Sequence, residues 1–267
     1  MPKVKANGIE IYYEVQGSGE PLVLISGLGY PLWQWHTMVP YLTEHFQVIT
    51  FDNRGVGQTD KPAGPYSAQM LATDTAGLLD ALDIEKAIIM GHSMGGFVAQ
   101  AMALGFPEKV SKLILCSTNF GGPNHVPITA EAWAVLADTT SDPLTRFTNG
   151  LKVSTAPGWS EDNLDMVEKW VAWRIANPMD VAGYQAQIAI GLVLIPEEAS
   201  FESKLSNISV PTLILFGAHD KVVPPENADL LAEKLAESTI VIIPDAGHFF
   251  PIEVPEAASQ TIINFVK

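Results

Sequence analysis

Seven short apolar runs punctuate this chain: Ile9 to Val15, Leu22 to Ile25, Val48 to Phe51, Ala87 to Met90, Leu113 to Cys116, Thr212 to Phe216 and Ile240 to Ile243. Each is bounded by Gly, Pro or Asp and is too short for an ordinary helix, so each reads as a strand. The first partly alternates apolar with polar, as an edge strand does. The later ones are almost continuously apolar, as strands of a parallel sheet covered on both faces are. Between them lie stretches of helical period, among them Ala68 to Leu82 with Leu71, Leu78, Leu79 and Leu82, and Phe97 to Leu104 with Ala101 and Leu104 on one stripe. Strand alternating with helix implies βαβ units with right-handed crossovers. The expected fold is therefore α/β: a doubly wound, mostly parallel sheet whose working crevice lies at the carboxyl ends of its strands.

The rhythm breaks between about residues 120 and 205, where no strand is expected and helical segments are rich in Trp, Met and Phe. A chain of 267 residues is near the upper size that one core serves, so an insertion is expected rather than a second domain. The expected division is 1–120, first part of the α/β core; 121–205, a helical cap; and 206–267, second part of the core. One cap helix is predicted to start at Ser160 as N-cap, with Glu161 and Asp162 in its first turn and Pro178 closing it. Leu164, Val167, Val171 and Ile175 form its expected inward stripe. Met166, Trp170 and Trp173 widen that face, and packing of cap on core is their expected role ahead of substrate contact.

With 47% hydrophobic and 17% charged residues, the chain can offset its ordering entropy and be globular. Fifteen Lys and Arg against 30 Asp and Glu give a net charge of −15, which repels nucleic acid and anionic membrane surfaces, so neither is an expected partner. The single Cys116 allows no internal disulfide, redox pair or cysteine metal cluster, and its apolar run predicts a buried strand thiol. No apolar stretch has signal-peptide length at the start, and none approaches the roughly 18 residues of a membrane span, so a cytoplasmic protein is expected.

The chemistry concentrates after the strand ending at Met90, in Gly91-His92-Ser93-Met94-Gly95-Gly96, followed by a helix-compatible run from Phe97. A G-x-S-x-G pattern alone is weak, but here it has the preceding strand and following helix that a nucleophile elbow requires. The serine of such an elbow sits in a strained turn, with Gly91 and Gly95 removing side chains that would collide. A serine hydroxyl near neutral pH needs a histidine to take its proton and a carboxylate to orient that histidine. Asp220 follows the strand ending at Phe216, and His248 follows the next strand, which ends at Ile243. A lone serine between glycines, a lone loop aspartate or a lone loop histidine is ordinarily a turn or surface residue. Three required types, in the order Ser, Asp, His and each just past a strand, weigh against that reading of the set. The amide of Met94, next after the serine, is one expected oxyanion donor. That of Leu28, in the loop Ser26-Gly27-Leu28-Gly29, is the other.

These residues resemble the α/β-hydrolase superfamily over essentially the whole chain. Phe51-Asp52-Asn53-Arg54-Gly55-Val56-Gly57-Gln58-Thr59 is similar to the family's D-x-R-G-x-G-x-S turn, which the resemblance makes structural, so Asp52 and Arg54 are expected scaffold. The likeness is greatest to small bacterial 3-oxoadipate enol-lactonases, carboxylesterases and cofactor-free haloperoxidase-like hydrolases. Ser26 departs from the histidine that many relatives carry in an H-G-x-G oxyanion loop. Ser93 stands where haloalkane dehalogenases and epoxide hydrolases carry aspartate.

The expected activity is hydrolysis of a small-molecule carboxylic ester or lactone through an acyl-enzyme on Ser93, with no cofactor and no metal. Perhydrolysis at the same triad, and a ligand sensor that keeps the hydrolase fold without appreciable turnover, are the competing readings. Arg146, Lys152 and Arg174 lie in the expected cap, with no indication from sequence of which way any points.

Overall fold

Strands buried on both faces need helices on both sides, and the computed structural model, which describes residues 2–138 and 140–267, is built that way. Eight strands form one sheet: β1 (Lys3–Ala6), β2 (Ile9–Gly17), β3 (Glu20–Ile25), β4 (Phe46–Phe51), β5 (Ala87–His92), β6 (Val110–Cys116), β7 (Thr212–Gly217) and β8 (Ser238–Ile243). Their spatial order is β1-β2-β4-β3-β5-β6-β7-β8. The β1–β2 and β2–β4 pairs are antiparallel and all later pairs parallel. All seven expected strands are present.

One edge differs from expectation. Ile9 to Val15 lies inside the sheet, because β1 folds back on β2 with Ala6 opposite Ile9 and Lys3 opposite Tyr12. Its alternation reflects a half-covered antiparallel strand rather than an edge.

The helices are α1 (Val39–Leu42), α2 (Ala68–Ala81), α3 (Met94–Gly105), α4 (Ala130–Leu136), α5 (Pro143–Ser154), α6 (Trp159–Asp162), α7 (Leu164–Ala176), α8 (Val181–Val193), α9 (Asn227–Ala232), α10 (Phe250–Glu253) and α11 (Pro255–Val266). One face of the sheet packs Val23, Ile25, Ile89 and Leu115 against α2 and α3 through Leu71, Leu78, Val98 and Met102. The other packs Leu24, Met90, Ile114 and Leu215 against Trp35, Leu42 and the α11 residues Ala258 and Ile262. Cys116 is a buried thiol within β6, and burial pushes its pKa up.

Between β6 and β7 the described residues form no strand, only α4 to α8 and short 3-10 turns. The long helix expected from Ser160 is two helices. Gly158, with φ of 82°, caps α6, Ser160 lies inside it, and Asn163 is the N-cap of α7. The left-handed glycine starts the turn earlier than a serine cap would, and Asn163 then breaks the helical path. The inward stripe also differs: Leu164 and Ile175 are exposed, whereas Trp170 is fully buried with Met166, Val167 and Trp173 packed around it. The face that turns inward is the one whose rings meet Phe249 and Trp33.

The turn after β4 is scaffold, as the resemblance implied. Asp52 accepts from the amides of Leu32 (2.8 Å) and Gln58 (2.7 Å). The Arg54 guanidinium grips Asp74 through Nε (2.8 Å) and Nη2 (2.5 Å), with both side chains almost wholly buried. Removing one partner of a buried ion pair strands the other charge. Asp74→Ala should therefore cost about 3–5 kcal/mol, read as a lowered urea midpoint, while a surface acid such as Glu168→Ala should shift it little.

Candidate active site

Because β3, β5, β7 and β8 run parallel, the loops leaving their carboxyl ends open on one edge of the sheet. Ser93 leaves β5 and opens α3 at φ 54° and ψ −119°, a left-handed conformation costly for a side-chain-bearing residue. Its turn is held from both sides. The Ser93 amide donates to Cys116 O (2.9 Å), and Ser93 O accepts from Thr118 Oγ1 (2.9 Å) and the Gly96 amide (2.8 Å). A Cβ on Gly91 would meet the Gly95 carbonyl, and one on Gly95 would meet the Ile25 carbonyl, so both glycines are sterically required. The Ser93 side chain makes no capping bond to α3, which leaves its hydroxyl uncommitted.

Asp220 and His248 meet. His248 Nδ1 donates to Asp220 Oδ2 at 2.8 Å, and both are buried. The other Asp220 oxygen accepts from the amides of Val222 (2.9 Å) and Val223 (2.8 Å). A carboxylate so fixed dictates the imidazole tautomer: the proton sits on Nδ1, and Nε2 keeps its lone pair. The loops carrying the pair are zipped beyond the sheet, Ala218 N–H to Ile243 O and His219 N–H to Ala246 O, each 2.9 Å. The Ser93 hydroxyl is not hydrogen-bonded to His248 in this structure. The two loops are joined one residue away instead, through His92.

That junction was invisible in the sequence. His92 Nδ1 accepts from Gln34 Nε2 (2.9 Å), and His92 Nε2 donates to the His248 carbonyl (2.8 Å). Gln34 Oε1 in turn accepts the Gly27 amide (2.9 Å). One relay of buried side chains thus connects the Leu28 loop, the Ser93 turn and the His248 loop. Burial, and then the neighbouring His248, hold the His92 pKa well below the usual imidazole range, so His92 is neutral and its two ring nitrogens serve as one donor and one acceptor.

The expected oxyanion loop lies beside Ser93: a Cβ on Gly27 would stand 3.4 Å from Ser93 Cβ. The absent histidine at position 26 is compensated from elsewhere. Gln34 takes the Gly27 amide, Gln187 of α8 takes the Gly29 amide (2.9 Å), and Asn53 Nδ2 holds Ser26 O (3.0 Å). The Leu28 amide lies between two amides so engaged, and Met94 follows Ser93 at the first position of α3.

A second buried carboxylate also escaped sequence reading. Glu253 accepts from the amides of Gly247 (3.0 Å) and Ala156 (2.6 Å), tying the His248 loop to the segment after α5. A glutamate five residues past a candidate histidine, in an otherwise apolar run, was the available signal. Among the described residues, no three His, Cys, Asp or Glu side chains gather as a metal site needs. A surface hollow of about 280 Å³ lined by Ala156, Pro157, Trp159, Asp162, Asn163, His219 and Asp245 contains none of the three central residues. No helix among the described residues is long and apolar enough to cross a membrane.

Burial is the main reason that the Glu253 carboxyl is pushed up, from 4.5 to about 7, against the opposing pull of its amide donors. In that interval the folded chain holds a proton that the unfolded chain has released. The group's contribution to stability is therefore full below about 4.5 and is lost as pH rises through about 7. Glu253→Gln keeps an acceptor oxygen and cannot titrate. The urea midpoint of the parent chain should fall relative to that of Glu253→Gln between about pH 5 and about pH 8, and parallel midpoints would contradict the assignment.

A family model for the alpha/beta hydrolase fold matches residues 20–255. The 3-oxoadipate enol-lactonase 2 of Acinetobacter baylyi is 29% identical over 98% of this chain and 95% of its own length. The pimeloyl-(acyl-carrier protein) methyl ester esterase of Pectobacterium carotovorum is 31% identical over 96% of this chain and 98% of its own. The solved structure of a meta-cleavage product hydrolase from Pseudomonas fluorescens IP01 matches with a TM-score of 0.84 at 25% identity, covering 100% of this chain and 97% of that one. The matched region takes in the sheet from β3 onward and all four loops at its carboxyl edge, and on that ground the chain belongs to the alpha/beta hydrolase fold family.

Proposed function

We propose that this chain is a serine hydrolase that cleaves a carboxylic ester or lactone through an acyl-enzyme on Ser93. The observation that carries the proposal is the buried 2.8 Å His248–Asp220 pair on the loops beside a strained serine whose hydroxyl is spent on nothing else. Ser93 Oγ attacks the carbonyl carbon as His248 Nε2 takes its proton. Asp220 keeps the imidazole in the right tautomer and stabilises the imidazolium. The amides of Leu28 and Met94 receive the developing oxyanion. Collapse of the tetrahedral intermediate expels the alkoxide, which takes the proton from His248. For a lactone, the alkoxide is the other end of the same molecule. Water then attacks the acyl-enzyme with His248 again as base, and Ser93 leaves reprotonated. Contact between Ser93 and His248 tightens when substrate arrives, as catalytic hydrogen bonds commonly do. Residues 121–205 act as a cap over this edge of the sheet.

Short- and medium-chain p-nitrophenyl esters and simple lactones test the proposal. Ser93→Ala and His248→Ala should each lower kcat by about 10⁴- to 10⁶-fold, Asp220→Ala by about 10⁴-fold, and the Ser93/His248 double variant no more than the worse single one. Near-normal turnover by Asp220→Ala would remove it from the acid role. Peracid formation exceeding ester hydrolysis when peroxide is supplied would favour perhydrolysis, and saturable ester binding with no turnover would favour the sensor reading.

A further inference from the structure

Trp170 and Arg174 are four residues apart on α7 and share one helical face. Trp170 is fully buried, so Arg174 is directed into the same interface rather than to bulk solvent. Its guanidinium carbon lies 4.8 Å from the ring centre of Tyr30, 5.3 Å from that of Trp173 and 5.8 Å from that of Phe147. Tyr30 directly follows the Leu28 loop. Its ring is 5.4 Å from that of Phe249, the residue after His248. On the other side stands Tyr184 of α8, which packs on Gly29 so closely that a Cβ there would lie 2.9 Å from its ring. Burial pushes the phenols of Tyr30 and Tyr184 up, and in both the Arg174 charge opposes that shift.

This cation is unusual in its company. Of the fifteen Lys and Arg, only Arg54, Lys109, Lys152, Lys221 and Lys234 pair with a carboxylate among the described residues, so what sets Arg174 apart is the set of aromatic rings around it. Among the described residues no carboxylate lies within salt-bridge reach of Arg174. Its charge is held over aromatic faces instead, and even with the Tyr30 hydroxyl as a partner the five-donor guanidinium keeps N–H groups for a further acceptor. A second unused donor lies alongside. The buried indole N–H of Trp170 has no acceptor, and that ring touches Tyr30 (6.1 Å) and Phe147 (5.9 Å), two of the rings that cradle Arg174. A planar, doubly donating cation set among aromatic rings that reach Phe249 fits a carboxylate in two-point contact.

We infer that Arg174 forms an anion subsite and that preferred substrates carry a free carboxylate in addition to the ester or lactone carbonyl. The inference rests on the proposed hydrolase reading for the word substrate, but not for the subsite itself. A net charge of −15 repels such a molecule at long range, so selectivity arises from local contact in the site rather than from steering.

Two measurements test it, one of them independent of turnover. Glutarate binding by titration calorimetry to Ser93→Ala, which keeps the subsite and lacks the proposed nucleophile, should weaken about 10- to 100-fold when Arg174→Gln is added. Arg174→Lys should recover part of the loss, because it restores charge without the planar fork. Hydrolysis is compared for matched ester pairs: monoaryl glutarate against aryl valerate, with the carboxylate on the acyl side, and valerate esters of a hydroxybenzoic acid against phenyl valerate, with it on the alcohol side. The kcat/KM ratio of charged to neutral ester should fall about 10- to 100-fold in Arg174→Gln for one pair, and the pair that responds locates the carboxylate. Ratios unchanged within about 3-fold for both pairs, or glutarate binding insensitive to Arg174, would overturn the subsite. Arg174-dependent glutarate binding without hydrolysis of any ester would sustain the subsite and overturn the hydrolase reading.

Discussion

A chain of buried hydrogen bonds, from the Gly27 amide through Gln34 and His92 to the His248 carbonyl, holds three loops from three different strands in one register. Every link is made by a neutral group, so no charge has to be desolvated, and each buried donor and acceptor finds a partner. The relay works only with His92 uncharged and in a single tautomer, and burial against His248 enforces that state. Histidine beside the serine thus functions as a bracket between loops. The proposed nucleophile, base and oxyanion donors inherit their relative positions from it.

Around that bracket, the helices between β6 and β7 are fastened to the carboxyl edge by polar contacts as well as apolar ones. Gln187 accepts the Gly29 amide and donates to Arg54 O (2.9 Å), joining α8 to the Leu28 loop and to the turn after β4. Glu253 joins the His248 loop to Ala156. Trp33 and Trp173 stack at 4.2 Å, while Trp170 packs edge-on to Phe249 at 4.9 Å. The same loops that carry the proposed chemistry therefore carry the docking of these helices, and a change in their position is felt at the site through few intermediate contacts.

The strands, and the loops that carry the three candidate residues, were legible because their signals are local. A continuously apolar run followed by a polar loop announces both a buried parallel strand and a place where a side chain can emerge at its end. β1 was missed because Lys3-Val4-Lys5 offers little apolar surface. Its best signal was the Asn7-Gly8 pair, whose positive φ values of 46° and 78° make the tight hairpin turn. Gln34, His92, Gln187 and Glu253 were illegible for a different reason. Each has a partner 58 to 158 residues away along the chain, and a polar side chain whose meaning is set by so distant a group has no periodicity or spacing to betray it. The inward face of α7 is likewise set at a distance, by Phe249 against Trp170 and Trp33 against Trp173, which leaves Leu164 and Ile175 exposed.

The central claim is that Ser93 is made nucleophilic by a base delivered from another loop. Peptide mapping by mass spectrometry after brief exposure to a fluorophosphonate tests it most directly, because that probe phosphonylates only an activated serine. A single adduct on the peptide containing Ser93, abolished in His248→Ala while that variant stays folded, is the result the account predicts. Adducts spread over surface serines, or labelling of Ser93 that persists without His248, would contradict it.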